Sequence, residues 1–467
     1  MKFHDIGLIL QIIKSLTMKN LHIGFIGWLL LFGVTGTLNS QTADELRNRR
    51  REVINKMEPG SVMLLKTPLI SGRFDETRPG GNIYYLTDIN EPNCILVLFS
   101  ADFSIRAGSL ANSKEVLFIR PVNSDKVNWD AQTTGIEGAK IKYGISDARP
   151  YSEASEFIGR LLALNLKVVY MDMEKSSSLN EPMSGDEQLI KMARDRGATF
   201  KVLPAETILG SLLSRKSPAE IELMRNVVKI TAEAQREALR SLKAGMYEYQ
   251  LDAIIRYVFS VNGSGSVSFP TIIGSGINSV VLHWMENSKR MEDGDLVVVD
   301  CGAEKDMYCA DITRTYPVSG KYTNRQKAIY EIVLKANEEA IKMIRPGVKT
   351  SDISLRADSI LSDGMVRIGL IKERAEFKKY YYHGLSHQIG LKNSFGGLVS
   401  VLEPGMIITI EPGIYVREER TGVRIEDDVL VTDTGYEILS SDAPKQIPEI
   451  EKLMKEEGMD VFRNVTK

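Results

Sequence analysis

The sequence predicts a mixed α/β protein of two or three domains, and three observations lead to this prediction. With 467 residues, the chain is too long for one ordinary domain. Short apolar runs bounded by Gly, Pro and Asn alternate with amphipathic helical segments, a pattern typical of a mixed or mostly parallel sheet covered by helices. Hydrophobic residues make up 43% and charged residues 26% of the chain, which is enough apolar material for a substantial core.

The charge balance and the cysteines exclude several classes of protein. The chain has 59 basic and 61 acidic residues, a net charge of −2, so no basic face indicates a nucleic-acid partner and we expect none. The three cysteines, Cys94, Cys301 and Cys309, cannot all pair. We interpret them as small buried apolar residues and not as a disulfide scaffold.

Residues 1–40 are predicted to be a signal peptide, with Met18 as an alternative start. An apolar run from Ile23 to Val34 follows Lys19, and small polar residues suit cleavage near Ser40. The alternative is an uncleaved membrane anchor, but this run contains glycine and is short for a transmembrane helix. We therefore expect an exported protein, periplasmic or secreted.

Residues 41–210 are predicted to form a first α/β domain. A basic cluster near its start is predicted to lie on a solvated helix face: Arg47, Arg49, Arg50 and Arg51. Strands are predicted at 62–65, 83–86, 94–99, 115–119, 167–170 and 199–203, and helices at 156–164 and 185–197. Because we find no cluster of His, Asp and Glu there, we expect this domain to act as a scaffold or in specificity and oligomerisation.

Residues 211–450 are predicted to form a second domain with two similar halves. Ser217-Pro-Ala-Glu220 is typical of a capping box with proline at the first helical position, and a long amphipathic helix follows. Further along, Thr323-Asn-Arg-Gln326 caps a second such helix. Each long helix is followed by a shorter helix and then by strand-like sequence, which favours two halves around a shared centre. Residues 451–467 are predicted to form a C-terminal helix or tail.

A β-hairpin is predicted where an apolar run, Leu296 to Val299, ends on Asp300. After Gly302 and a polar turn, a second run alternates up to Asp311. We expect the first strand to be buried on both faces and the second to be half-buried. Two carboxylates held close in an apolar sheet repel each other and are poorly solvated, so they must be neutralised. A metal ion is the simplest way to do so.

Acidic and histidine residues recur at predicted strand ends further along this domain. Glu411 ends an apolar strand at a Pro-Gly stop, and Glu426 is predicted to alternate along a second strand, on the face of Arg424. Taken singly, an acid at a strand end usually forms a turn, and the pair His383 and His387 is as often hydrogen-bonded as metal-binding. Five such residues together predict a polynuclear metal site with these ligands: Asp300, Asp311, His387, Glu411 and Glu426.

The predicted ligand set also indicates the metal. Four carboxylates and one imidazole make an oxygen-rich set that favours Mn²⁺, with Co²⁺, Fe²⁺ and Zn²⁺ as alternatives. Four negative charges call for two divalent ions, as in two-metal hydrolytic sites. We therefore expect two divalent metal ions as the cofactors.

These motifs resemble those of the pita-bread metallopeptidases, family M24. The resemblance rests on Asp300 to Asp311, His383-Gly-Leu-Ser-His387, Glu411-Pro-Gly413 and Arg424-Ile-Glu426-Asp, and covers about residues 210–445. The superfamily includes methionine aminopeptidase, aminopeptidase P (Xaa-Pro aminopeptidase), prolidase and the metal-free creatinase. The region before residue 210 resembles the creatinase-type N-terminal domain of aminopeptidase P and prolidase. Within it, Tyr84 to Pro92 is more similar to aminopeptidase P than to prolidase.

The resemblance implies a fold and an activity. The expected fold is a creatinase-like N-terminal α/β domain followed by a pita-bread catalytic domain with pseudo-twofold halves. The expected activity is that of an Xaa-Pro aminopeptidase, a hydrolase that releases an N-terminal residue linked to proline from proline-containing peptides. A prolidase, which cleaves only Xaa-Pro dipeptides, is the alternative. We also expect a homo-oligomer, a dimer or a tetramer.

The resemblance also implies a role for each site residue. Asp300 would bind one metal ion, His387 and Glu411 the other, and Asp311 and Glu426 would bridge both. Glu411 would also shuttle a proton from a metal-bound water to the leaving proline nitrogen. His283 would lie near the scissile group and His383 in the substrate pocket, while Arg424 would orient Glu426 or another carboxylate of the site.

One position departs from the family pattern. Where the family has a third histidine that helps to hold the substrate carbonyl, this chain has Ser394. Loss of one such donor can lower the rate on the order of a hundredfold. A metal-binding paralogue with weak or no catalysis is therefore a further alternative.

Overall fold

The computed structural model describes residues 42–67, 81–103, 113–122, 133–172, 185–392 and 400–459. The predicted signal peptide and Ser394 lie outside these ranges. Among the residues so described, no helix is long and apolar enough to cross a membrane. The domain boundaries predicted at 210 and 450 stay predictions.

The first part of the chain forms a six-stranded mixed sheet in the order β4-β3-β2-β1-β5-β6. Its central strand β1 is antiparallel to β2 and parallel to β5. The elements are α1 (Ala43–Lys56), β1 (Val62–Lys66), α2 (Gly81–Thr87), β2 (Ile95–Phe99), β3 (Glu115–Ile119), α3 (Gly135–Tyr143), β4 (Ala148–Pro150), α4 (Ala154–Leu162), β5 (Val168–Met171), α5 (Gly185–Asp195), β6 (Lys201–Pro204) and α6 (Glu206–Ser214).

Both faces of this sheet are buried, as the apolar strands predict. Val62 and Leu64 of β1 belong to an apolar cluster that includes residues of α4. Met63 and Leu65, which point the other way, belong to the larger cluster that continues into the second half of the chain. The predicted α/β class is confirmed.

The strand predicted at 83–86 is wrong, because these residues lie in helix α2. Ile83 and Leu86 are fully buried, so the segment shows no alternation in burial. Packing overrides the β propensity of its aromatic and branched side chains. Two arginines of α1 also satisfy carbonyls of this helix: Arg49 donates to Tyr85 O at 3.0 Å and Arg50 to Leu86 O at 2.9 Å.

The prediction of a solvated basic face is therefore wrong for two of its four arginines. Arg50 is 0% exposed, and its Nε lies 2.6 Å from Glu115 Oε2. Arg49 is also buried, and its Nη2 lies 3.0 Å from Glu220 Oε2 in the second half of the chain. Buried guanidinium groups need such partners, because an unpaired charge in the core is strongly destabilising. The other two arginines, Arg47 and Arg51, are exposed to solvent, as predicted.

Two helix pairs dominate the second part of the chain. The capping boxes predicted at Ser217 and Thr323 are confirmed, and each begins the first helix of a pair. The prediction of a shorter second helix is confirmed in the first pair but wrong in the second, where both helices have 18 residues. The elements are α7 (Pro218–Ser241), α8 (Glu248–Val261), β7 (Ser266–Val267), β8 (Ile272–Ser275), β9 (Leu296–Cys301), β10 (Ala303–Lys305), β11 (Tyr308–Cys309), β12 (Ile312–Pro317), α9 (Asn324–Ile341), α10 (Thr350–Arg367), β13 (Ile407–Ile410), β14 (Gly413–Val416), β15 (Thr421–Arg424), β16 (Asp427–Val431), β17 (Tyr436–Ile438) and α11 (Ile447–Leu453). Each pair precedes a set of antiparallel strands, β8-β9-β12 or β13-β16-β17.

The predicted hairpin forms, with β9 antiparallel to β12 and β10 antiparallel to β11. Its tip is a turn at Asp306 and Met307, which have φ values of 51° and 65°. The expectation of a half-buried second strand is wrong, because every residue from 307 to 317 is buried. One side of the hairpin meets helix α7, where Gln235 donates to Val299 O and Ile312 O. The other side is covered by the segment around Glu426, whose N donates to Thr313 O at 3.0 Å.

Glu426 does not lie within one continuous strand, as its alternating sequence predicts. The chain changes sheets at Ile425 and Glu426: β15 pairs with β14, whereas β16 pairs with β13. The two-residue break leaves Glu426 between strands. The alternating pattern could not show this, because both strands have the same period and only their partners differ.

Candidate metal centre

The hairpin brings Asp300 and Asp311 to the same place. Asp300 lies near the end of β9, opposite Thr313, and Asp311 immediately precedes β12. Between them, Gly302 approaches the other strand so closely that a Cβ would lie 1.8 Å from Ala310 O. Only glycine allows this approach.

His387 and Glu411 join the two aspartates from the second half of the chain. His387 Nε2 lies 3.6 Å from Asp311 Oδ2, 3.6 Å from Glu411 Oε1 and 3.9 Å from Glu426 Oε1. A hydrogen bond at the other ring nitrogen fixes the orientation of the imidazole, since Nδ1 lies 3.1 Å from Gln388 O. That contact places the donor proton on Nδ1 and directs the Nε2 lone pair at the carboxylates, as in metal-binding histidines.

The donor set fits divalent cations. Ligand atoms of Asp311, His387 and Glu426 all lie within 4.8 Å of one another. Asp300 Oδ1 and Asp311 Oδ1 are buried, and neither has a hydrogen-bond partner within the described ranges. Buried oxygen atoms without donors are costly, and an ion is the group that would satisfy them.

The electrostatics of the cluster agree with this fit. Burial, together with the charge of Glu426, raises the pKa of Asp311 and of Glu411 well above their usual values. Burial and the charge of Asp300 raise the pKa of Glu426 to about 7. A divalent cation at the centre of the cluster would offset this repulsion and favour the ionised carboxylates.

Arg424 supports the cluster at one edge. It is 4% exposed, and its Nη2 donates to Asp300 Oδ2 at 2.6 Å. Its Nε donates to Thr313 Oγ1 at 3.1 Å, and the Thr313 hydroxyl donates to Glu426 Oε2 at 2.6 Å. Of the two predicted partners, Arg424 therefore orients Asp300 directly and reaches Glu426 only through Thr313.

Sequence reasoning missed three residues that support the cluster. Thr313 bridges Arg424 and Glu426, and its place two residues after Asp311, within β12, is a signal that could have identified it. Tyr415 OH accepts from Arg424 Nη1 at 3.2 Å. Asp428 Oδ2 accepts from Asp311 N at 3.1 Å across 117 residues of sequence, and no local pattern indicates that contact.

A cavity of about 730 Å³ opens onto the cluster. All eight predicted site residues line it: His283, Asp300, Asp311, His383, His387, Glu411, Arg424 and Glu426. Five apolar residues also line the cavity: Phe269, Pro270, Ile272, Leu282 and Met285. The cavity therefore combines groups suited to hydrolytic chemistry with nonpolar surface for a substrate.

His383 is held as a neutral imidazole beside the cluster. Its Nε2 lies 2.8 Å from Tyr415 OH, and its Nδ1 lies 2.7 Å from Gly384 O and 3.7 Å from Glu411 Oε2. Burial and the nearby charge of Arg424 lower the pKa of His383 to about 4. A neutral ring can donate one hydrogen bond and accept another, and here Gly384 O and Tyr415 OH are the two partners, so the ring is fixed in orientation at the cavity.

Comparisons with known proteins point to one family. Residues 222–433 match metallopeptidase family M24, and residues 46–170 match the aminopeptidase P N-terminal domain. The Xaa-Pro aminopeptidase of Escherichia coli K12 is 33% identical over 442 residues, which cover 88% of this chain and 97% of that protein. Human Xaa-Pro aminopeptidase 3 is 32% identical over 390 residues, covering 80% of this chain and 76% of that protein.

Solved structures agree. The aminopeptidase P of Escherichia coli with the inhibitor Pro-Leu superposes with a TM-score of 0.77 and is 31% identical. The match covers 89% of this chain and 99% of that chain. The similarity therefore extends over both the six-stranded sheet and the metal centre.

Proposed function

The chain belongs to metallopeptidase family M24 and is a hydrolase of the metallo-aminopeptidase class, and we propose that it is a dinuclear Xaa-Pro aminopeptidase. In this proposal it releases an N-terminal residue that is linked to proline. The observation that carries the proposal is that all eight predicted site residues line one cavity, together with five apolar residues. The names of the similar proteins support the choice of substrate.

The proposed ligands are the five residues of the cluster: Asp300, Asp311, His387, Glu411 and Glu426. Two divalent ions bound there would polarise the scissile carbonyl and lower the pKa of a bound water. We propose Mn²⁺ as the native metal, because the donor set is four carboxylates and one imidazole.

The protein's own groups have separate tasks in this proposal. Glu411, which lies beside both His387 and His383, would take a proton from the bound water and deliver it to the leaving proline nitrogen. His383, neutral and fixed by Tyr415, orients the substrate next to Glu411. His283, which also lines the cavity, contacts the substrate near the scissile group. Arg424 holds Asp300 in position.

Proline explains why a dedicated cavity is needed. The nitrogen of the scissile bond carries no hydrogen, and the ring fixes φ, so a site that binds an ordinary peptide N–H cannot hold this bond. The apolar side chains of Phe269, Leu282 and Met285, which line the cavity, offer a nonpolar surface to such a ring. A nonpolar surface of this kind stabilises a ring by removing it from water.

Peptide cleavage followed by mass spectrometry tests the proposal. The panel is Ala-Pro-Ala, Ala-Pro and Ala-Ala-Ala, each assayed with metal-free protein and with added Mn²⁺, alongside measurement of bound metal. We expect release of Ala from Ala-Pro-Ala, dependence on the metal, and no cleavage of Ala-Ala-Ala. Cleavage of Ala-Pro with intact Ala-Pro-Ala would identify a prolidase instead.

Ser394 favours a second candidate function. If the missing third histidine is essential for holding the carbonyl, the protein is a metal-binding paralogue with weak or no catalysis. Stoichiometric metal with negligible turnover of every peptide in the panel would identify this case.

We also propose that the protein is exported and forms a homo-oligomer. The apolar run between Ile23 and Val34 supports export, and N-terminal sequencing of the protein from fractionated cells tests it. A mature chain that begins near Ser40 is the expected result, and an intact leader in the membrane fraction would indicate an anchor. Mass photometry distinguishes a dimer or tetramer from a monomer.

A further inference from the structure

We propose that Glu248 is a positioning residue that fixes the segment carrying His283 against the cavity. The proposal rests on the proposed function, because it assigns a task to Glu248 through a residue of that site. Glu248 is the first residue of helix α8 and is 0% exposed, whereas His283 lies on the rim of the cavity. Glu248 itself does not line the cavity, so it would act only through other residues.

The carboxylate of Glu248 accepts hydrogen bonds from residues on both sides of His283 in the sequence. Its Oε1 accepts from Ser275 N and Ser275 Oγ, each at 2.7 Å, and from Asn278 Nδ2 at 3.2 Å. Its Oε2 accepts from Trp284 Nε1 at 2.9 Å and from Lys289 N at 3.0 Å. A single buried carboxylate thus joins the end of β8 to the far end of the segment.

The segment depends on these bonds because it lacks regular structure. Residues 281–290 form neither helix nor strand, and several of their side chains are exposed. Two side chains, Glu248 and the buried Asn287, therefore anchor it, and Asn287 Oδ1 accepts from Ile273 N at 2.9 Å. Its far end is also held through the backbone, since Glu248 N donates to Lys289 O at 3.0 Å and Tyr247 forms a β-bridge with Arg290. Segments with few backbone hydrogen bonds open most easily, so removal of an anchor should loosen this one first.

Trp284 connects the anchor to the site. Leu282, His283 and Met285 line the cavity, while the intervening Trp284 does not and instead donates to Glu248. When the indole is held on the buried side, the His283 side chain is directed to the cavity side. Loss of the bond would allow the backbone at 283–284 to rotate, and a displacement of about 1 Å can lower a rate on the order of a hundredfold.

The chemistry of the anchor requires a carboxylate. All five donors are N–H or O–H groups, and within the described residues no lysine, arginine or histidine forms an ion pair with Glu248. A glutamine would offer one oxygen and an NH₂ group, which cannot accept from the donors on its side. Glu248→Gln should therefore keep the hydrogen bonds to one of the two oxygens, whereas Glu248→Ala should lose the bonds to both.

The test measures kcat and KM on Ala-Pro-Ala together with hydrogen–deuterium exchange of the peptide that spans 281–290. We expect Glu248→Ala to lower kcat by about ten- to a hundredfold, with Glu248→Gln in between, and exchange at 281–290 to accelerate. Trp284→Phe removes one donor and should shift both readouts in the same direction, even if Glu248→Ala fails to fold.

A double-mutant cycle separates positioning from a general loss of stability. If Glu248 acts through His283, the variant Glu248→Ala/His283→Ala should be no less active than His283→Ala, within about twofold. Glu115→Gln is the matched control, since Glu115 is also a buried carboxylate that accepts from one serine through both N and Oγ, at 2.7 and 2.8 Å, but lies in the N-terminal sheet. It should change stability without changing exchange at 281–290.

Two results would overturn the proposal. In the first, the activity losses of Glu248→Ala and His283→Ala multiply in the double variant. In the second, the rate of hydrogen–deuterium exchange at 281–290 is unchanged in both Glu248→Ala and Trp284→Phe. If the unaltered protein cleaves no Xaa-Pro peptide, the proposed function fails. The exchange measurement then still decides whether Glu248 fixes the segment.

Discussion

Arg424 Nη2 lies 2.6 Å from Asp300 Oδ2, and this ion pair is almost entirely buried. A buried pair of this kind is costly to assemble but also costly to break, because either partner alone is a buried charge. The pair lies next to the predicted ligands, where the guanidinium also meets Thr313 and Tyr415. Its planar group therefore sets the direction of one carboxylate at the edge of the cluster.

We predict that Arg424→Lys lowers kcat/KM by about ten- to a hundredfold and weakens metal retention. A lysine keeps the positive charge but cannot make the three directed contacts of the guanidinium. Steady-state kinetics and metal analysis after dialysis provide the measurement. Arg420→Lys, at an exposed arginine, is the control and should behave like the unaltered protein. Full activity of Arg424→Lys would show that charge alone is sufficient there.

Removal of metal should abolish peptide cleavage and lower Tm. Without a cation, the carboxylates of Asp311, Glu411 and Glu426 repel one another in a buried site. Bound ions stabilise the folded state by about 2.7 kcal/mol when their free concentration is a hundred times Kd. Calorimetry with EDTA and with added Mn²⁺ measures the shift, which Asp311→Asn should reduce. A Tm that is independent of both additions would contradict the metal centre.

Glu411→Ala should lower kcat on the order of a hundredfold or more, because this residue is proposed both as a metal ligand and as the proton donor. The cleavage assay on Ala-Pro-Ala measures this loss. The exposed Glu403, which is eight positions earlier and outside the cavity, provides the control Glu403→Ala. If a purified Glu411→Ala variant kept full activity, the proposed dinuclear mechanism would be wrong.

Ser394→His should raise kcat by up to about a hundredfold if the position serves the substrate carbonyl, as the family pattern implies. Ser394→Thr keeps a hydroxyl and should leave kcat unchanged. Kinetics on Ala-Pro-Ala with added Mn²⁺ compare the three proteins. Equal activity of Ser394→His and the unaltered protein would show that another group has taken over the task.

Lys216 provides a prediction about stability and pH. Burial lowers the pKa of Lys216 from 10.5 to about 8, so the charged form is disfavoured in the folded state. Below pH 8 the folded protein bears this cost of about 3 kcal/mol, which disappears as the pH rises from 8 to 10.5. Lys216→Met should therefore raise the free energy of unfolding at pH 7, with a smaller gain at pH 10.

Denaturant titrations at the two pH values measure this difference. Lys229→Met, at an exposed lysine of α7, is the control and should show no such change with pH. A loss of stability in Lys216→Met at pH 7 would show that the lysine makes compensating contacts.

Two of the candidate ligands, Asp300 and Glu411, could be identified from sequence because each lies at a visible interruption of an apolar run. Asp300 follows four apolar residues, and Glu411 stands before a Pro-Gly stop. Such acids have an electrostatic cost that local pattern reveals. The structure brings all eight predicted residues to one cavity, while their roles as ligands and catalytic groups stay predictions.

The residues that sequence reasoning missed or misplaced depend on distant partners. Arg50 is buried because Glu115 lies opposite it, and Asp428 matters because it meets Asp311. Glu248 sits at an ordinary helix start, and its five donors come from the chain well beyond it. Local propensity contains no information about such contacts, which also explains why 83–86 was predicted as a strand.

Two hydrogen bonds of the metal centre join distant parts of the chain, and this has a consequence for folding. They link Asp311 to Asp428 and, across 113 residues, Thr313 to Glu426. Closing loops of this length costs conformational entropy and slows folding, so we expect contacts of this kind to form late. Neither half holds a complete set of ligands. Cation capture should therefore mark the last step of refolding, and a fragment cut between the halves should bind metal only after its complement is added.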